Sequence, residues 1–114
     1  MRTILGAFLL AGAVACSTDP IEPLPLEITL EASRVTAAPG DTITFVAEAQ
    51  GGTLVGVEIN YGDSATDAYA TGGARTARIS FRHAYTTRGT FTVRSVVTDA
   101  VAGQKEATTE VRVN

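Results

Sequence analysis

Leu26-Glu27-Ile28-Thr29-Leu30-Glu31-Ala32 alternates apolar and polar residues without a break. A half-buried β-strand requires that period of two, whereas a helix would repeat near 3.6. Working outward, the same rhythm recurs along the rest of the chain. Ile43, Phe45, Ala47 and Ala49 alternate with Thr42, Thr44, Val46 and Glu48, and Val55, Val57, Ile59 and Tyr61 with Gly56, Glu58 and Asn60. Ala77, Ile79, Phe81 and His83 form a further inward row, followed by Phe91, Val93, Ser95 and Val97, and then by Ala107, Thr109, Val111 and Val113. Pro39-Gly40-Asp41, Gln50-Gly51-Gly52-Thr53, Thr87-Arg88-Gly89 and Ala102-Gly103-Gln104 are the turn signals between them. From Gly62 to Ala74 the chain is polar and glycine-rich, with room for one short edge strand near Tyr69.

No stretch offers an amphipathic helix. About seven strands at this spacing predict an all-β, immunoglobulin-like antiparallel sandwich, with a small closed barrel as the competing architecture. Ser95 is the polar exception in an apolar row, so it needs a hydrogen-bond partner or a local slip that exposes it.

The totals agree with one domain. The 114 residues are 45% hydrophobic, but with four Phe, three Tyr and no Trp the core must be built mainly from aliphatic residues. Nine basic against twelve acidic side chains leave no basic footprint for nucleic acid. No metal motif, phosphate loop or nucleophile–base pair appears, so neither an enzyme nor a cofactor is expected.

Ahead of the strands lies a different kind of sequence. Met1-Arg2 is basic, Thr3 to Ala15 carries no charge, and small residues gather at its end. This is the layout of an export signal, and its apolar run is shorter than the roughly 20 residues of a membrane-spanning helix. Ala13-Val14-Ala15-Cys16 resembles a bacterial lipobox, with Ala13 where leucine is usual. That resemblance implies cleavage before Cys16, the only cysteine, and acylation of its thiol. It implies a chain held in the cell envelope through the lipid on Cys16, and Ser17 in the following position favours the outer membrane if the organism is Gram-negative. Ala13-Val14-Ala15 is also an Ala-x-Ala site, which leaves ordinary secretion as the alternative. Ser17 to Pro25 holds three of the four prolines and reads as a semi-rigid extended spacer. The expected organisation is therefore a signal peptide over 1–15, a lipidated N-terminus and linker over 16–25, and a β-sandwich over 26–114.

Within the sandwich, Asn60-Tyr61-Gly62-Asp63-Ser64, His83-Ala84-Tyr85, Gly89-Thr90-Phe91-Thr92-Val93 and Thr98-Asp99 together resemble the signature of a PKD domain. Ile59 stands where that family often has Trp, Asn60 where it has Asp, Ser64 where it has Gly, and Phe91 where it has Tyr. The resemblance implies structural roles for Tyr61, Gly62, Asp63, His83, Tyr85, Gly89, Phe91 and Asp99. It implies a non-enzymatic module for protein or carbohydrate contacts, or an accessory subunit of an envelope complex. For His83, the single histidine, the sharper alternative is a metal ligand or base. Asp63 and Asp67, joined by Asn60 and Asp99 if these lie nearby, could offer oxygen ligands to calcium.

Overall fold

The computed structural model describes residues 24–114, so the expected signal peptide, Cys16 and most of the expected linker lie outside the described residues. Eight strands form among them: β1 (Glu27–Ala32), β2 (Thr36–Ala37), β3 (Thr42–Gln50), β4 (Leu54–Asn60), β5 (Thr66–Ala70), β6 (Thr76–Ala84), β7 (Gly89–Asp99) and β8 (Gly103–Val113). One sheet has the order β1-β3-β6 and the other β2-β8-β7-β4-β5. The described residues contain no helix.

The sandwich is the expected one, with one strand more than the alternation indicated. Thr36 and Ala37 leave the first sheet and join the second, pairing parallel with Arg112 and Val113 while every other pairing is antiparallel. Two residues are too short a run to show a period, which is why this strand is silent in the sequence. Ala37 is buried by the switch and so helps close the core at that edge.

The inner faces pack Ile43, Phe45 and Ala47 of β3 against Val57 and Ile59 of β4, Val93 and Val97 of β7, and Val111 of β8, all at 1% exposure or less. Burying an aliphatic or Phe side chain of this size contributes about 1.5–3 kcal/mol, and the largest fully buried side chains are the aromatic Tyr61, Tyr85 and Phe45. Ser95 lies fully buried in that row and keeps its place because its hydroxyl donates to the Glu58 carbonyl at 2.9 Å.

One inward assignment is corrected. Val55 faces out at 51% exposure, and Leu54 takes the core position at 0%. The register between β4 and β7 shifts between Leu54 and Gly56, and this irregularity puts Leu54 and Val57 on one face. Strict alternation cannot register an extra residue, so it placed Val55 inside.

The strand near Tyr69 is β5, exposed along its whole length. Tyr69 pairs with the buried Val57, so it stands on the inner side of its sheet. The ring is nevertheless 56% exposed, on the outermost strand of its sheet.

Candidate functional site

The residues of the PKD-like signature, Thr98 and Asp99 excepted, converge at one end of the sandwich, around the loop from Tyr61 to Ala65. That loop is shaped locally. The Asn60 side-chain oxygen accepts from the Gly62 N–H at 2.8 Å, and Asp63 Oδ1 from the Ala65 N–H at 3.1 Å. Such side-chain-to-backbone bonds across two residues hold a chain reversal. Gly62 has φ = +88°, and a Cβ there would sit 2.7 Å from the Thr92 carbonyl oxygen, so both conformation and space require glycine. The loop can then lie directly on β7.

A row of rings packs beneath it. Phe45 tilts against Tyr61 with centroids 5.7 Å apart, and Tyr61 stacks flat on His83 at 4.0 Å and 5°. His83 meets Tyr85 edge-on at 4.7 Å, and Tyr85 stacks on Phe91 at 4.4 Å. Phe91 thus keeps the aromatic contact without a hydroxyl. Gly89 has φ = +147°, and a Cβ there would meet the rim of the Phe91 ring at 3.7 Å.

Polar atoms lock this row. The Tyr85 hydroxyl donates to the Tyr61 carbonyl and the Tyr61 hydroxyl to Asp67 Oδ2, both at 2.7 Å. His83 Nε2 lies 2.7 Å from Asp63 Oδ2. Partial burial pushes the Asp63 carboxyl up, but the His83 bond, the Ala65 N–H and the attraction of the imidazole outweigh it and hold the group below its ordinary range. Asp63 is therefore the acceptor at neutral pH, and His83 Nε2 carries the proton. Burial pushes the Tyr85 phenol up to about 12, with the Asp63 charge adding to it. The Tyr61 phenol is driven up further, by burial first and then by its bond to Asp67.

His83 consequently has a carboxylate on Nε2 and tyrosines on its face and edge. Asp63 and Asp67 each accept from a separate donor and do not converge on a shared point by any bond in the structure. Among the described residues, no three His, Cys, Asp or Glu side chains are grouped so as to hold a metal ion.

Asp99 is not part of this end, contrary to the calcium grouping. It pairs with Leu54 and Gly103, whereas Asn60, at the other end of β4, pairs with Arg94. At about 3.3 Å per residue the two ends of β4 stand roughly 20 Å apart. The sequence brackets Asn60 and Asp99 by family pattern, and only strand direction separates them. Asp99 instead shapes the β7–β8 turn, accepting from Thr53 N–H at 2.6 Å, Ala102 N–H at 2.9 Å and Val101 N–H at 3.0 Å. The Ala102, Thr53 and Val101 bonds hold its carboxyl below the usual range against the opposing effect of burial.

Two features lay outside the sequence reading. Asp67 as the Tyr61 acceptor depends on the pairing of Ile59 with Asp67, which a short exposed strand does not announce. Thr53 as a donor to Asp99 bridges residues far apart in the chain. The nearest signal for it was the Gly51-Gly52 pair: Gly51 is buried, and a Cβ there would meet both Leu54 and Asp99 within 2.9 Å.

The PKD domain family pattern matches residues 27–113. Among solved structures, the PKD domain of an M14-like peptidase from the Thermoplasmatales archaeon SCGC AB-540-F20 superposes with a TM-score of 0.68 at 20% identity, covering 81% of this chain and 96% of that one. The CARDB domain of the PF1109 protein from Pyrococcus furiosus, solved in complex with di-metal ions, gives 0.61 at 15% identity over 84% of this chain and 97% of that one. The PKD domain of the human VPS10 domain-containing receptor SorCS2 gives 0.56 at 21% identity over 96% and 94% respectively. At these identities the likeness establishes the fold. No curated protein sequence matches the chain.

Proposed function

The chain belongs to the PKD domain family, and from that premise we propose that it is a bacterial lipoprotein displaying a non-enzymatic binding or structural module on the cell envelope. In this reading the signal peptide over 1–15 is removed, Cys16 carries the lipid, and the proline-rich segment to Pro25 links the lipid to the domain. Ser17 directs the protein to the outer membrane where there is one. The module makes protein or carbohydrate contacts.

The observation that carries the non-enzymatic reading is the internal engagement of the ionisable cluster. Asp63 is bound to His83, Asp67 to Tyr61, and His83 lies between two tyrosine rings. A base at work in catalysis has to face a proton on a substrate, whereas both carboxylates here face a neighbouring donor and the face and edge of His83 lie against tyrosine rings. The lipid reading rests on the lipobox-like run at Ala13–Cys16 together with the absence of any second cysteine to pair with it. Several acyl chains on one residue anchor a protein stably, whereas a single chain does so only marginally.

A subunit of an envelope complex is favoured as the setting by one feature. Among the described residues, strand β6 spans nine residues and pairs only with β3, which leaves its outer edge for an extended partner segment.

Mass spectrometry of the mature N-terminus, with Cys16→Ala alongside, tests the anchor. Acylated Cys16, and release of the Cys16→Ala protein into the soluble fraction, are expected. An unmodified Cys16 on a freely secreted protein overturns it. A pull-down with the lipidated protein then separates the two settings: one stoichiometric membrane partner identifies the subunit, and retention on glycan identifies the display module. Robust turnover in a hydrolase screen overturns the non-enzymatic reading.

A further inference from the structure

The two ends of the sandwich differ in chemistry. The chain enters at the end where Leu26 packs beside Gly51 and the Pro25 carbonyl lies 3.5 Å from the Gln50 amide. Three connections meet there: 51–53, 71–75 and 100–102. They consist of Gly, Ala, Thr and Val, and Arg75 is their one charged residue. The connections at the opposite end, 33–35, 38–41, 61–65 and 85–88, carry Arg34, Asp41, Asp63 and Arg88.

Exposed apolar side chains follow the same division. Val101 stands at the tip of the β7–β8 turn with 90% of its surface exposed, and Val55 and Tyr69 are 51% and 56% exposed in the same half of the domain. Val35 is the single large apolar side chain exposed at the far end. The Val101 tip is held firmly, because Asp99 accepts from the N–H groups of both Val101 and Ala102.

We propose that this entry end rests on the lipid bilayer, with Val101 as the leading contact and the Tyr61–Ala65 loop pointing away. The proposal rests on the reading of Cys16 as the lipid anchor. Tether length then restricts the choice of face. Residues 16–23 span at most about 28 Å when fully extended. Strand β7, with eleven residues, runs about 35 Å from the far end to the entry end. If the far end touched the bilayer, Leu24 would stand further from the membrane than the tether reaches.

Chemistry favours the same orientation. Connections whose one charged side chain is Arg75 lose less on approaching a low-dielectric surface than those carrying Arg34, Asp41, Asp63 and Arg88, because each charge incurs a desolvation cost. A tyrosine near that surface has an apolar ring and a polar tip, the combination enriched at membrane interfaces. Because the lipid already confines the domain, a contact too weak to recruit a free protein suffices to orient a tethered one.

The test uses the lipidated full chain in vesicles of phosphatidylethanolamine and phosphatidylglycerol. Acylation occupies Cys16, so a cysteine introduced by Val101→Cys, or by Thr87→Cys at the far end, can carry an environment-sensitive fluorophore alone. Both positions are exposed and outside the core. Quenchers attached to the lipid chains should dim the probe at position 101 severalfold more than the probe at position 87. Acylated protein that floats with the vesicles, yet shows equal quenching at both positions or none at either, overturns the orientation and leaves the anchor standing. An unacylated Cys16 in the same preparation overturns the anchor and the orientation together.

Discussion

The imidazole of His83 lies flat on the phenol ring of Tyr61, centroids 4.0 Å apart, while its Nε2 reaches Asp63 on the loop that Tyr61 begins. One side chain on β6 thereby fastens the β4–β5 loop of the other sheet. This contact joins the two layers where no backbone ladder can.

Removing either partner should loosen that end. His83→Ala loses a charge-assisted hydrogen bond and two ring contacts, and should lower the unfolding free energy by about 2–3 kcal/mol. Asp63→Asn should cost about 1–2 kcal/mol. The double variant should fall short of the sum, by roughly 0.5–2 kcal/mol, because the two changes remove one shared interaction. Urea unfolding of the four proteins measures the coupling, and strict additivity would show that the pair contributes nothing.

Gly62→Ala should be far more damaging than Gly72→Ala. Both glycines have positive φ, at +88° and +62°, but an added Cβ meets the Thr92 carbonyl at position 62 and nothing within 4 Å at position 72. The left-handed conformation alone costs about 1–2 kcal/mol for a residue with a Cβ. Thermal unfolding should show roughly that loss for Gly72→Ala and a clearly larger one for Gly62→Ala.

Leu54→Ala should cost about 2–5 kcal/mol, as expected for a large-to-small change in a packed core, and Val55→Thr less than about 0.5 kcal/mol. The contrast follows from the irregularity at the start of β4, which buries the first side chain and exposes the second. Equal losses in denaturant titrations would contradict that register.

Stability should decline on both sides of neutrality, for opposite reasons. The Asp63 and Asp99 carboxyls are depressed in the fold, so their contribution is complete above the ordinary value of about 3.9 and is lost as pH falls below it. Asp99→Asn should flatten the acid limb. The Tyr61 and Tyr85 phenols are raised, Tyr85 to about 12, so their contribution is complete below the ordinary value of about 10 and is lost as pH climbs past it. Phenolate absorbance should show two of the three tyrosines ionising only as the domain unfolds.

Much of this architecture was written in local sequence. Alternation at Ile43–Ala49 and Phe91–Val97 marked inward rows correctly, because side chains on a strand point to opposite faces and no distant partner is needed to say so. The polar, glycine-rich stretch that begins at Gly62 marked a break between strands through its own composition. The same locality explains each divergence. Thr36 and Ala37 form a strand only because β8 offers an edge, Val55 turns outward only because β4 takes an extra residue against β7, and Asp99 lies away from Asn60 only because β7 runs antiparallel to β4. The period-two pattern by itself determined that this protein is built of strands around a largely apolar core, and the pairing of those strands into two separate sheets made it a sandwich rather than a closed barrel. Tertiary structure alone decided that His83 and Asp63 clasp one end, that Ser95 is satisfied by Glu58, and that the loops poorest in charge gather where the chain enters. Those facts depend on groups brought together from distant positions, and sequence periodicity carries no term for which edges meet.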